Sequence, residues 1–231
     1  MFFVGTNHLF PTEQHFDAMV LAFAEDDDAR PITERWNALL FEIARPLEGN
    51  TFHSTSQWPN QAAFDAWRAS ADFEASHRAA LQDLRRGDVF ARHPIFIASE
   101  VVMNAEPGRA PVVGQPQPRR ELGAGRGYVF QKLTPKAERM DDVISAYAAQ
   151  GGPGIEGWIW WDLRRVIGKN ELAVVTYFPS VDAARGAQDR LVPPGDPSWY
   201  EAPAETSLYI TEVEHVPGMA RNNRLKPAAA R

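Results

Sequence analysis

Gly157-Trp158-Ile159-Trp160-Trp161-Asp162-Leu163-Arg164-Arg165-Val166, the turn Gly168-Lys169-Asn170, and Glu171-Leu172-Ala173-Val174-Val175-Thr176-Tyr177-Phe178 form the stretch that decides the fold. Aromatic and β-branched residues crowd both arms, and a short polar turn suits a tight reversal, so the segment reads as a β-hairpin. The same pattern stands 120 positions earlier (58 to 178) as Asn37 to Pro46, the turn Glu48-Gly49-Asn50, and Thr51 to Trp58. This much aromatic surface predicts a sheet face that must be covered.

Outward from each hairpin the repeat continues. A strand-like Phe2 to Phe10 leads through Pro11 and Thr12 to Phe16, Met19, Val20 and Phe23 at helical spacing. In the second half, Tyr128 to Leu133 leads through Thr134 and Pro135 to Met140, Val143, Ile144 and Tyr147, displaced by 124 (10 to 134). Aromatic-proline steps, Trp58-Pro59 and Phe178-Pro179, open Ala-rich helical sequence after each hairpin. Pro94 to Met103 and Ser207 to Val216 then close the halves as strands. The order β-α-β-β-α-β in each half is the ferredoxin-like, split βαβ arrangement, an α+β class. Two covalently linked copies can bury their open sheet faces against each other.

Between the halves, Glu106-Pro107-Gly108-Arg109-Ala110-Pro111 and Gly114-Gln115-Pro116-Gln117-Pro118-Arg119-Arg120 read as a linker, too poor in apolar surface to order itself. The expected division is a first domain over 1–104, a Pro/Gly-rich linker over 105–126, a second domain over 127–217 and a flexible tail over 218–231.

Of the 231 residues, 44% are hydrophobic and 23% charged, values ordinary for a globular chain. Cysteine is absent, which excludes disulfides, thiolate metal sites and thiol nucleophiles. The net charge of -6 argues against nucleic-acid binding. No secretion signal and no membrane-length apolar run is evident, so a cytoplasmic protein without membrane partners is expected.

The run Ser56-Gln57-Trp58-Pro59-Asn60-Gln61-Ala62-Ala63-Phe64, the following Trp67, Ser70, Phe73, His77 pattern, and Asn7 in the first strand resemble a known family. That family is the antibiotic biosynthesis monooxygenase (ABM) group of dimeric α/β barrels, and within it the IsdG-type haem-degrading monooxygenases. The resemblance implies two ABM domains in one chain, with their sheets packed together as a dimeric α/β barrel. By resemblance, His77 ligates haem iron, Asn7 hydrogen-bonds beside the distal ligand, and Trp67 crowds the porphyrin into a ruffled shape. Haem would be both substrate and cofactor, opened with O2 and electrons from an external donor, an unidentified reductase, with release of iron. At the same offsets the second half has Gln131 opposite Asn7, Ala187 opposite Trp67 and no histidine near Pro197. One competent pocket per chain follows, in a monomeric pseudo-dimer with a degenerate second domain; further dimerisation stays open.

Taken singly, these residues have plainer readings. Trp67 would serve as core, His77 as a surface histidine, and Asn7 as a strand residue bonded locally. Ten helical residues span about 15 Å, so Trp67 and His77 can share only a broad ring, best if the helix bends near Ser70 to Phe73. His8 adjoins Asn7 in a strand and should face the other way. His53 is a further possible ligand; His15, His93 and His215 read as surface or loop histidines. No zinc or non-haem iron pattern stands out. Glu25-Asp26-Asp27-Asp28 reads as a solvated loop, and Gly151-Gly152-Pro153-Gly154 as a connection. Three rival readings remain: metal-free oxidation of a polycyclic phenol to a quinone, a haem carrier or sensor without activity, and a stress-related small barrel with an empty pocket.

Overall fold

The computed structural model describes residues 1–18, 20, 33, 36–73 and 90–217. Its strands are β1 (Phe3–Leu9), β2 (Leu40–Pro46), β3 (Phe52–Trp58), β4 (Ile95–Ala105), β5 (Gly127–Leu133), β6 (Trp160–Val166), β7 (Leu172–Phe178) and β8 (Glu205–His215). The helices with full bounds among the described residues are α1 (Gln61–Arg68), α2 (Met140–Gln150) and α3 (Val181–Ala187). Hydrogen-bonded neighbours run in the order β1-β3-β2-β8-β5-β7-β6-β4. The fold is the α+β, ferredoxin-like one that the repeat predicts.

The repeat holds residue by residue. Leu40 pairs with Gln57 and Trp160 with Tyr177, so both hairpins keep one register at a displacement of 120 (40 to 160). Phe3 pairs with Trp58 and Gly127 with Phe178, which repeats the first strand at 124 (3 to 127). Gly49 and Gly168 take φ of 76° in the two equivalent turns, a left-handed conformation that glycine adopts without a Cβ penalty.

Two compact units result, and each draws on both halves of the sequence. One contains Phe2–Ile97, Arg119–Gly125 and the chain from Thr211; the other contains Ala98–Pro118 and Arg126–Ile210, with Met1. In the second, α2 buries Met140, Val143, Ile144 and Tyr147, the stripe that its spacing predicts. These pack with Leu133, Trp161, Leu163, Leu172 and Val174 in a continuous apolar cluster. Gly151 ends α2 at φ 80°, its N–H donating to the carbonyls of Tyr147 and Ala148, a left-handed helix cap. In the first, residues 16–18 are helical and Phe16 meets Phe52 edge-on at 4.9 Å. Met19, Phe23 and the acidic run 25–28 lie outside the described residues, as does the tail 218–231.

The stretch read as an unordered linker carries buried contacts. Asn104 Nδ2 donates to the Gln117 carbonyl, and Gln117 N–H returns a bond to Asn104 Oδ1, both at 2.8 Å. Arg119 is buried in the other unit, where its guanidinium pairs with Glu42 at 2.6 Å and with Glu214. Glu214 also accepts from the backbone N–H of Leu122 at 3.0 Å, and Thr211 Oγ1 donates to Glu42 at 3.2 Å. A desolvated arginine shared by two carboxylates and further donors satisfies polar groups that would be costly if left bare.

Candidate functional site

Alternation along β1 places Phe3, Gly5, Asn7 and Leu9 on one sheet face, opposite Trp58, Ser56, Ser54 and Phe52 of β3. This face receives α1. The helix starts where Asn60 Oδ1 accepts from the N–H of Ala63 at 2.9 Å, a standard side-chain cap after the Trp58-Pro59 step. Its buried residues Phe64 and Trp67, three apart, point onto the sheet.

Phe64 meets Phe3 at 4.7 Å between ring centroids, Trp58 at 5.7 Å, and Phe96 at 5.6 Å in a nearly parallel stack. A Cβ at Gly5 would stand 3.0 Å from the Phe96 ring and 3.3 Å from Phe64. Glycine therefore lets both rings lie close over β1. Trp67 stacks on Trp58 at 5.1 Å, meets Phe73 edge-on at 4.8 Å, and is 5% exposed. Trp58 Nε1 donates to Ser56 Oγ at 2.9 Å, which fixes the lower indole.

Helix α1 ends at Arg68, and residues 71–73 are helical again. Between them Ser70 Oγ donates to the Trp67 carbonyl at 2.6 Å and accepts from Phe73 N–H at 3.1 Å. One serine thus joins the end of α1 to the next helical turn, satisfying groups exposed at both helix ends.

Asn7 is half-buried beyond Gly5 on this same face, opposite Ser54. The sheet thus gathers Asn7 and Trp67 on its helix-facing side. His77 lies outside the described residues. His8 faces the other way, its ring 4.5 Å from that of buried His53. His215, read as a surface or loop residue, instead lies in β8 with its ring stacked 6.4 Å from Phe41. The strand expected over Ser207 to Val216 already contained it, so the loop reading of His215 conflicted with that strand.

In the second unit the equivalent positions are occupied by the protein itself. Gln131 is buried and donates from Nε2 to the Leu191 carbonyl at 2.7 Å, and Ala187 is a small buried residue of α3. That half offers neither an open carboxamide nor an aromatic wall at those positions.

Sequence reasoning missed two buried polar groups, Glu42–Arg119–Glu214 and Trp160–Asp162–Arg164. In the latter, Asp162 accepts from Trp160 Nε1 at 2.7 Å and from Arg164 at 2.8 Å. The available signal was Glu42 and Asp162 at equivalent points of the two hairpins, each a charge within a strand. Burial pushes the Glu212 carboxyl upward, against the pull of Arg45 at 2.8 Å. Burial also raises the phenols of Tyr147 and Tyr209, and that of Tyr200 to about 12. Among the described residues no group of three His, Asp or Glu could hold a metal ion, and no helix is long and apolar enough to cross a membrane.

No curated protein sequence matches the chain. Among solved structures, an anthrone oxidase-like protein is similar with TM-score 0.64 and 10% identity, covering 94% of each chain. A candidate monooxygenase from Lactobacillus acidophilus is similar with TM-score 0.61 and 9% identity, covering 94% of this chain and 97% of its own. A heme-degrading enzyme from Listeria monocytogenes has TM-score 0.42 and 8% identity, covering 91% of this chain and 99% of its own. At such identities the likenesses show the fold alone. Within that fold, residues 14–79, the segment that supplies α1 with Trp58, Phe64 and Trp67, match the family described as antibiotic biosynthesis monooxygenase.

Proposed function

We propose that this chain is a monooxygenase that binds haem on the helix-facing side of β1 and β3 and opens the porphyrin with O2 and electrons from an external reductase, releasing iron. The observation that carries the reading is half-buried Asn7 on the same face of β1, two residues beyond Gly5, as the wall of Phe64, Trp67, Trp58 and Phe96. A broad, mostly apolar ring needs such a wall, and a single polar group at its edge fixes orientation. The described residues fit haem on both counts, and the family resemblance adds His77 as its imidazole ligand.

Bound haem supplies iron for reaction with O2. Asn7 would offer a donor, its carboxamide N–H, on the helix-facing side of the sheet. Trp67 contributes rigidity. Its indole is braced by Trp58 and Phe73, so any part of it that met a bound ring would hold its place; the ruffling role itself is what the resemblance implies.

One test is a haem titration of wild type, Asn7→Ala and His77→Ala, followed by ascorbate in air. The reading expects one haem per chain, loss of binding in His77→Ala, and Soret decay to an open-chain product that slows in Asn7→Ala. Binding with no decay under reductant would make the protein a carrier or sensor.

One observation favours a second reading, metal-free oxidation of a polycyclic phenol. Trp67 is 5% exposed, so its indole is committed to packing. Asn7 would then bind a phenolate, His77→Ala would be tolerated, and haem would not bind specifically.

A further inference from the structure

The exposed end of the aromatic wall carries a cation. Arg68, the last residue of α1, holds its guanidinium carbon 5.7 Å from the ring centroids of Phe64, Phe73 and Phe96 alike. Arg45, Arg119, Arg139, Arg164 and Arg185 each pair with a carboxylate. Arg68 has no such pairing among the described residues, and its side chain is solvent-exposed. The wall grades outward from buried Phe64 and Trp67 to Phe96, which is 41% exposed and nearly parallel to Phe64. A flat ligand on the open face of Phe96 would extend that stack, with its edge beside Arg68.

We propose that Arg68 is a specificity residue that takes the carboxylate of a flat, conjugated carboxylic acid seated on this wall. The inference rests on the helix-facing site proposed above and names the feature of the substrate that the site selects. A guanidinium offers paired N–H donors that match a carboxylate in its own plane. Contact with three rings restricts the side chain beforehand, so less freedom is lost on binding. In a chain of net charge -6, an acidic ligand also needs a local positive group to approach.

The experiment compares acid and blocked forms of two ligands, haem against its dimethyl ester and 2-anthracenecarboxylate against its amide, on wild type, Arg68→Met and Arg68→Lys. Wild type is expected to favour each acid it binds by about tenfold, Arg68→Met to abolish that preference while leaving the blocked form unchanged, and Arg68→Lys to keep part of it. A purely structural role would instead weaken acid and blocked form alike, and that result overturns the inference. An Arg68-dependent preference for the anthracene acid without haem binding would sink the haem reading and leave this one standing. Haem bound and degraded with no acid preference would do the reverse, and absence of binding by every probe overturns both.

Discussion

The indole of Trp67 lies on that of Trp58 with centroids 5.1 Å apart and planes 29° from parallel. A residue singled out for chemistry is therefore also a main packing contact between α1 and the sheet. Trp67→Ala should cost about 3–5 kcal/mol through the lost stack and the cavity left beneath Phe73, whereas Trp67→Phe keeps most of the contact. Urea unfolding of both variants checks this, and turnover is better compared in Trp67→Phe. Equal midpoints for wild type and Trp67→Ala would mean that the indole does not pack as described.

Two glycines at sheet–helix contacts should respond differently to alanine. At Gly127 the added methyl would stand 2.7 Å from the Ser180 carbonyl oxygen and from the Val181 Cα, both backbone atoms of the α3 start. At Gly5 it would meet only side-chain ring atoms, the nearest at 3.0 Å in Phe96. Overpacking against fixed backbone costs about 1–3 kcal/mol, so Gly127→Ala should lower the melting temperature clearly. Gly5→Ala should cost less and mainly shift Phe96, which ligand affinity at the wall would report. A larger stability loss at Gly5 than at Gly127 would contradict this ranking.

Arg119 pairs with both buried carboxylates, Glu42 and Glu214. Arg119→Met removes the guanidinium that both buried carboxylates share, and the expected loss is about 3–5 kcal/mol. Substituting all three with apolar residues of similar volume should recover much of it, because the desolvation cost disappears with the charges. Denaturant unfolding of the single and triple variants measures the difference, and a neutral Arg119→Met would refute the cluster's role.

Tyr147, Tyr200 and Tyr209 bind their phenolic protons more tightly folded than unfolded, with Tyr200 at about 12. Their contribution to stability is fully present below the ordinary tyrosine value of about 10 and is lost as pH rises towards the folded values. Absorbance of phenolate near 295 nm should therefore lag behind that of free tyrosine in the folded protein, and appear abruptly on alkaline unfolding. Ionisation of all five tyrosines near pH 10 with the fold intact would contradict the burial.

Most of the architecture was legible because its signals are local and occur twice. Alternating aromatic and β-branched arms, a polar turn and a helical stripe such as Met140 to Tyr147 each specify an element without reference to the rest of the chain. The site was legible only in part. Asn7 and Trp67 share a face because strand register and helix packing bring them there, whereas in the sequence the two were linked only by the family resemblance. The burial of Arg119 was not legible. Its partners Glu42 and Glu214 are 77 and 95 positions away, and a Pro/Gly-rich surround conceals an ordered contact. Arg68 escaped notice because an arginine at the end of a helix is an ordinary surface residue until three rings are found beneath it.

The segment joining the halves offers unequal prospects for engineering. Around Val112 and Val113 the side chains are largely exposed, and exposed loop tips accept added sequence well. A fluorescent or affinity module spliced there would leave both anchored ends in place. From Arg119 to Gly123 the backbone and the guanidinium are spoken for by Glu214, and the same module inserted there would pull the counter-ion out of the interior.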